Sequence, residues 1–356
     1  MQISFNRFFA FLALSFLVFS CTEEAIEAPK EAVTLGTIEQ FLGVEINTPE
    51  DFPKQRALTE QEIEKILAYV DAEIQNAENS ELDFRRRNFL NYRLFVLAAI
   101  RTGVVNDIIN AEVTVFAPTN DAFAAIGISN SAQLAGVPTD ALRAILEYHV
   151  IPSGRFFAAD LENKFYLTTA GPAVEVAVDA SGVTVNEVNV VDADVFFAFL
   201  FNGVAHGIDQ VLMAPDQTIV EIAIAANNDP GEFTQLVAAV VRADLAGTLS
   251  GEGPFTVFAP TDEAFNALFD ALDTDVNSID INLLTEVLLY HVIPARVFST
   301  DLTNGPANTL NGSVGIDVDN LQIIDSTTEP ANLIPGLLNI QGSNGVIHAI
   351  DKVLLP

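Results

Sequence analysis

The sequence predicts two tandem α+β domains, and three observations carry that reading. The chain repeats itself: Val115-Phe116-Ala117-Pro118-Thr119 recurs as Val257-Phe258-Ala259-Pro260-Thr261, an offset of 142 residues from Phe116 to Phe258. The same offset carries Tyr148-His149-Val150-Ile151-Pro152 onto Tyr290-His291-Val292-Ile293-Pro294. It also carries Asn202-Gly203-Val204-Ala205-His206-Gly207-Ile208-Asp209 onto Asn344-Gly345-Val346-Ile347-His348-Ala349-Ile350-Asp351. A unit of this length is too long for a solenoid repeat, so each copy should fold around its own core. The length of 356 residues also exceeds what one core usually supports. Strand and helix patterns are mixed within each copy without regular strand–helix–strand alternation, which selects α+β over α/β.

Residues 1–21 read as an address. Arg7 supplies a weakly positive start, and Phe8 to Phe19 is apolar except for Ser15. The run is too short to span a bilayer and predicts a signal peptide. It closes on Leu17-Val18-Phe19-Ser20-Cys21, which resembles a bacterial lipobox. Cys21 is the only cysteine, so no intramolecular disulfide is available. Lipid attachment at Cys21 is the simplest reading, with an incidental thiol after ordinary cleavage as the alternative. Several acyl chains on one residue anchor stably where a single chain does not. Thr22-Glu23-Glu24 resembles the surface-export signal of bacterial lipoproteins. Residues 22–57 are acidic, with Pro29, Pro49 and Pro53, and predict a tether; Thr34 to Ile46 is apolar enough to dock as a strand or short helix.

The first domain is placed at 58–214 and the second at 215–356. Thr59 and Glu62 have capping-box spacing ahead of Ile63, Ile66, Leu67, Val70 and Ile74, which predicts an amphipathic helix. Thr218 and Glu221 open the second domain in the same way. Thr59 to Thr218 spans 159 residues rather than 142, so the first copy should carry 17 extra residues near 75–91. That insertion contains Arg85-Arg86-Arg87, read as balancing acidic surroundings or as docking an anionic ligand. Leu94 to Ile100 and Leu236 to Val241 predict buried helices. Val113 to Phe116 and Phe255 to Phe258 predict strands ended by Ala-Pro, because proline cannot donate to a ladder. Thr119 and Thr261 follow as helix N-caps. Asp140 to His149 and Ile281 to His291 predict helices ended by Ile-Pro. Val174 to Val178 and Val183 to Val185 predict a hairpin around Asp179 to Gly182. Val204 to Leu212 and Val346 to Leu354 predict closing strands. Met213-Ala214-Pro215-Asp216 is a short linker, so the domains should touch.

The string from Val115 to Phe123, the Tyr-His-Val-Ile-Pro element and the Asn-Gly-Val…His…Ile-Asp element resemble the fasciclin (FAS1) domain, in the family's order and in both copies. The resemblance runs from about Leu58 to the C-terminus. It implies a seven-stranded β-wedge or distorted sandwich flanked by several helices in each domain. It also implies adhesion, without catalysis and without a cofactor. In animal members the Tyr-His element and nearby aliphatic residues are proposed to contact integrins, so Tyr148, His149, Tyr290 and His291 become the candidate partner-binding residues by resemblance. Read from the residues alone, each histidine ends a helix between apolar neighbours and is a satisfied structural group.

Charge excludes one class of partner. The chain has 48 acidic and 16 basic residues, a formal net charge of −32, which repels nucleic acid phosphates. The charge reads as solubility or as a surface for divalent cations that bridge to another acidic polymer. Half the residues are hydrophobic, so the chain has material for cores. With 26 Phe and no Trp, the aromatic mass of those cores should be Phe. His206 and Asp209, like His348 and Asp351, lie three apart on a strand and should point to opposite faces, which argues against a catalytic pair. There is no G-x-S-x-G nucleophile motif, and no His or Cys spacing for a metal. Asp273-Thr274-Asp275-Val276-Asn277-Ser278-Ile279-Asp280 has alternating oxygen ligands but lacks the glycine and glutamate of a calcium loop. It reads as an acidic loop, and no metal is expected. The expected protein is therefore a non-catalytic surface lipoprotein, anchored to the membrane through its lipid and presenting two domains to extracellular protein or polysaccharide. The alternatives are a glycan-capturing partner of an outer-membrane uptake system and a structural envelope spacer, with a periplasmic location left open.

Overall fold

The computed structural model describes residues 91–108, 111–195, 203–226 and 232–356. Cys21, the tether, the helix expected from Thr59 and the Arg85-Arg86-Arg87 segment lie outside the described residues.

The described part of the first repeat begins with helix α1 (Arg93–Thr102), whose residues from Leu94 to Thr102 are all buried. It ends at Gly103, in the left-handed conformation with φ 77°. Helix α2 (Val104–Ile108) leads to strand β1 (Thr114–Pro118), where Pro118 ends the ladder. Thr119 then caps α3 (Asn120–Ala125): its Oγ accepts the Ala122 N–H at 3.1 Å. Helices α4 (Ser131–Ala135) and α5 (Thr139–Tyr148) follow. The remaining strands are β2 (Val150–Ile151), β3 (Lys164–Leu167), β4 (Ala173–Asp179), β5 (Gly182–Val185), β6 (Val188–Val195) and β7 (Val204–Ile208). They form one seven-stranded sheet in the order β2-β1-β7-β6-β5-β4-β3. Strands β1 and β7 run parallel with Phe116 opposite His206, and the other pairs are antiparallel.

The second repeat has α6 (Ile219–Ala226), α7 (Thr234–Arg242), α8 (Ala246–Leu249), β8 (Phe255–Pro260), α9 (Asp262–Leu272), α10 (Ile281–Tyr290) and β9 (Val292–Ile293). It closes with β10 (Gly305–Thr309), β11 (Gly312–Asp317), β12 (Gln322–Ile324), β13 (Ala331–Asn332), β14 (Ile340–Gly342) and β15 (Gly345–Ile350). The capping box is complete: Thr218 N–H donates to Glu221 Oε2 at 2.8 Å, and Glu221 N–H to Thr218 Oγ at 3.3 Å. Here the strands fall into two four-stranded sheets, β10-β11-β12-β13 and β14-β15-β8-β9, joined by a bridge between Leu333 and Ile350. The counterpart of β6 is broken into β13 and β14. In the first repeat the same strand stays whole but shifts register twice, around Asp192.

Each sheet separates two cores because strand side chains alternate. Val115 and Ala117 face the helices, whereas Phe116 packs with Tyr148, Tyr166 and the β4–β5 valines. Val257 and Ala259 repeat the first arrangement and Phe258 the second.

Several expectations change in detail. Helices α5 and α10 stop at Tyr148 and Tyr290, one residue short of the expected His149 and His291, which serve as their C-caps, because Val150-Ile151 and Val292-Ile293 pair with β1 and β8. The β-branched pair leaves the helix before Ile-Pro can end it. The closing strands end at Ile208 and Ile350, where the chain turns off the sheet. Helix α1 is buried all round, but α7 is buried on one side only and exposes 61% of Val241.

One glycine shows how the repeats compensate. A Cβ on Gly207 would lie 1.8 Å from the Tyr92 hydroxyl. Tyr92 is fully buried and donates its hydroxyl to Asp192, whose backbone pairs with Gly207. In the second repeat the two positions are Phe233 and Ala349: the hydroxyl is gone and the methyl is present. Gly207→Ala should cost roughly 1–3 kcal/mol through overpacking. Adding Tyr92→Phe should recover part of that loss, which a double-mutant cycle in urea unfolding would read.

Candidate functional site

The Tyr-His elements are the polar feature shared by both domains. His149 is the C-cap of α5, which points its ring back along the last helical turn and into the core, where none of it is exposed. Its Nδ1 lies 2.8 Å from Ile145 O, and its Nε2 accepts the Leu212 N–H at 2.9 Å. Facing a carbonyl on one side and an N–H on the other, the ring must be the neutral Nδ1–H tautomer. His291 repeats the pattern, with Nδ1 2.6 Å from Val287 O and Nε2 accepting the Leu354 N–H at 2.9 Å. Each ring clips the end of a helix to the chain that leaves the closing strand. Desolvation pushes both rings down from 6.5 to about 4.

The tyrosines beside them make a second clip. Tyr148 donates its hydroxyl to Ala173 O at 2.8 Å, and Tyr290 donates to Ser313 O at 2.7 Å. These bonds tie the same helix ends to β4 and to the start of β11. All four residues are buried, with Tyr290 the most accessible at 5%.

His206 and His348 also join backbone to backbone, with the opposite tautomer. His206 Nε2 lies 2.9 Å from Phe156 O, and its Nδ1 accepts the Asp194 N–H at 3.3 Å. His348 does the same with Val297 O at 2.9 Å and the Asn339 N–H at 3.2 Å. Burial lowers both pKa values. Asp209 instead accepts from Asn189 Nδ2, and Asp351 takes both the N–H and the Nδ2 of Asn332. The His and Asp of this element therefore engage separate groups and do not pair with each other; in the first repeat both reach β6, His206 at Asp194 and Asp209 at Asn189.

Other repeated side chains do similar work and were not singled out in the sequence. Thr114 Oγ donates to Gly154 O and accepts the Phe156 N–H; Thr256 does so with Ala295 and Val297. Arg101 donates to the carbonyls of Leu134, Ala135 and Val137, and Arg242 to those of Val276 and Ile279. Their matching places in α1 and α7 were the available signal. Lys352 meets the buried Asp325 carboxylate at 2.9 Å. Burial alone would raise the pKa of Asp325, but Lys352, Thr327 and the Leu355 N–H outweigh it and hold the carboxyl low.

The acidic loop from Asp273 to Asp280 uses its oxygens on its own backbone. Asp275 Oδ1 accepts the N–H groups of Asn277 and Ser278, and Asp280 caps α10 through Asn282 and Leu283. Among the described residues no group of three His, Cys, Asp or Glu is placed to hold a metal ion. A cleft between α6 and α7 is lined by apolar side chains, including Ile224, Val237 and Val241. Among the described residues no helix is long and apolar enough to cross a membrane.

The clips make stability depend on pH. His149 and His291 are neutral in the fold with pKa about 4 and protonate near 6.5 when unfolded, so the unfolded chain binds more protons between those values. Their contribution should be complete above about pH 6.5 and lost as pH falls towards 4. Each ring contributes on the order of 3 kcal/mol by this linkage. Urea unfolding across that window should show the loss. His149→Gln with His291→Gln should flatten the dependence while lowering stability at neutral pH.

The Fasciclin domain family model matches residues 90–214 and 231–356, more than half of the chain. Protein sll1483 of Synechocystis sp. is 35% identical over 144 residues, covering 40% of this chain and 77% of that protein. The cell surface glycolipoprotein MPB83 of Mycobacterium bovis is 34% identical over 143 residues, covering 38% of this chain and 60% of that protein. A solved FAS1 domain pair from the insect cell adhesion molecule Fasciclin I is 20% identical, with a TM-score of 0.34, covering 75% of this chain and 97% of that one. With its ordered motifs recurring in two α+β units, and the family model matching each, the chain belongs to the fasciclin domain family.

Proposed function

We propose that this chain is a non-catalytic adhesion protein, held at the cell surface by a lipid on Cys21 and presenting its two fasciclin domains to extracellular protein or polysaccharide. One observation carries the non-catalytic part. In the chain's four histidines both ring nitrogens face backbone groups, so the repeated polar machinery maintains the fold and leaves no ring free to move a proton. A surface location is supported by similarity to a cell surface glycolipoprotein and by the lipobox-like string ending at Cys21. The net charge of −32 favours divalent cations as bridges to an acidic polysaccharide.

Protease added to intact cells should digest the protein, and Cys21→Ala should release it from the cells. Adhesion of the same cells to an acidic polysaccharide should fall in EDTA. Protection from protease until the outer membrane is ruptured would replace surface adhesion with a role inside the envelope. Binding that survives EDTA would remove the cation bridge.

A further inference from the structure

The two domains meet at one corner of the first, and the contact is built from specific partners. Phe165 of β3 stacks on Phe298 of the second domain, with ring centroids 4.1 Å apart and planes 3° from parallel. Ala173, Phe298 and Val346 form a buried cluster against which Phe165 packs. Gln341 reaches from β14 to Ala173 and makes both amide bonds there: its Oε1 accepts the Ala173 N–H at 2.6 Å, and its Nε2 donates to Ala173 O at 2.8 Å. The side-chain amide thus pairs with the start of β4 as a neighbouring strand would. The same carbonyl accepts the Tyr148 hydroxyl. Behind Gln341, Arg296 donates to its Oε1 at 3.3 Å and to the carbonyls of Gly342, Ser343 and Gly345 at 2.8–3.0 Å, which holds the β14–β15 turn in place.

The duplication supplies an internal comparison. Phe157 and Phe298 occupy the same turn, each N–H donating at 3.3 Å to the aspartate three residues on. Phe298 is 2% exposed in the junction, whereas Phe157 is 38% exposed. On the hairpin side, Ser313 takes the place of Ala173 beneath its tyrosine. Two residues further along the ladder, Pro306 stands where Phe165 does. Pro306 and Leu310 are exposed. The matching surfaces therefore exist once, between the hairpin of the first domain and the β14–β15 turn of the second.

We propose that the corner formed by Tyr148, Phe165 and Ala173 is a docking site whose occupant is the second domain, and that Gln341 and Phe298 latch the two domains into one rigid body. The latch fixes the relative placement of any surfaces the domains present, so two-point binding requires a partner whose sites match that spacing. It also withdraws the Tyr148 corner from outside partners, whereas the matching corner of the second domain leaves Pro306 and Leu310 exposed. The proposal stands whatever the domains bind.

Distance measurement by electron spin resonance on the full chain tests it. Cys21→Ala removes the single cysteine, and Ala132→Cys on α4 with Asn266→Cys on α9 places one exposed label on each domain. A single narrow distance is expected. Gln341→Ala combined with Phe165→Ala should abolish it and leave a broad distribution. Circular dichroism unchanged by that pair would show that both domains stay folded. Gln341→Ala alone, which removes no core side chain, should broaden the distribution by itself. A broad distribution in the parent chain, or a narrow one that survives both variants, would overturn the proposal.

Discussion

A neutral imidazole buried between a helix end and the chain leaving the last strand holds each domain closed. His149 and His291 each satisfy two backbone groups, one four residues before the ring and one 63 residues after it. Without the ring, a helix carbonyl and a strand-exit N–H would both be buried and unpaired, at roughly 1–3 kcal/mol each. The neighbouring features depend on this closure. Strand β2 can pair with β1 only because α5 ends at Tyr148, with His149 as its C-cap. Tyr148 reaches Ala173 only because that helix end is fixed. The same requirement explains why the ring stays neutral: a proton on Nε2 would face the Leu212 N–H in a dry site.

The duplicated chain shows which parts of this architecture are required and which vary. The histidine clips, the Thr114 and Thr256 staples and the arginines at the ends of α1 and α7 recur with the same partners. Around them the repeats solve local packing differently. Tyr92 over Gly207 becomes Phe233 near Ala349, and the bulged β6 becomes the separate strands β13 and β14. The outer side of α1 is covered while that of α7 is open. The repeats also differ at the junction, where an aromatic and an amide on one domain meet a complementary corner on the other. Shared parts thus maintain each domain, and divergent parts join the two.

Much of this was legible in the sequence because it depends on local spacing. The threonine caps and the capping box at Thr218 follow from residues within one turn, the α+β class from the order of such local patterns, and the duplication from strings that recur at one offset. The partners of the histidines were not legible, because Leu212 and Leu354 lie 63 residues away and contribute only backbone. Composition carries no trace of a backbone N–H. For the same reason the closing strands are shorter than their apolar pattern predicts: Leu212 and Leu354 look like strand residues but have turned off the sheet to reach the rings. The burial of Tyr148 at the domain junction needed the position of Gln341, 193 residues further on. The loop at Asp273 looked ligand-rich because its aspartates alternate, yet that spacing serves Asx turns and a helix cap.

The central claim is that the Tyr-His elements are closures of the fold, built around neutral rings. Long-range proton–nitrogen correlation spectra of the four histidines, followed from neutral pH into the acid range, test it most directly. His149 and His291 should show protonated Nδ1 and bare Nε2, His206 and His348 the reverse, with His149 and His291 resisting protonation until about pH 4. Rings at positions 149 and 291 that titrate near 6.5 in the folded protein, with both nitrogens in exchange, would contradict the account.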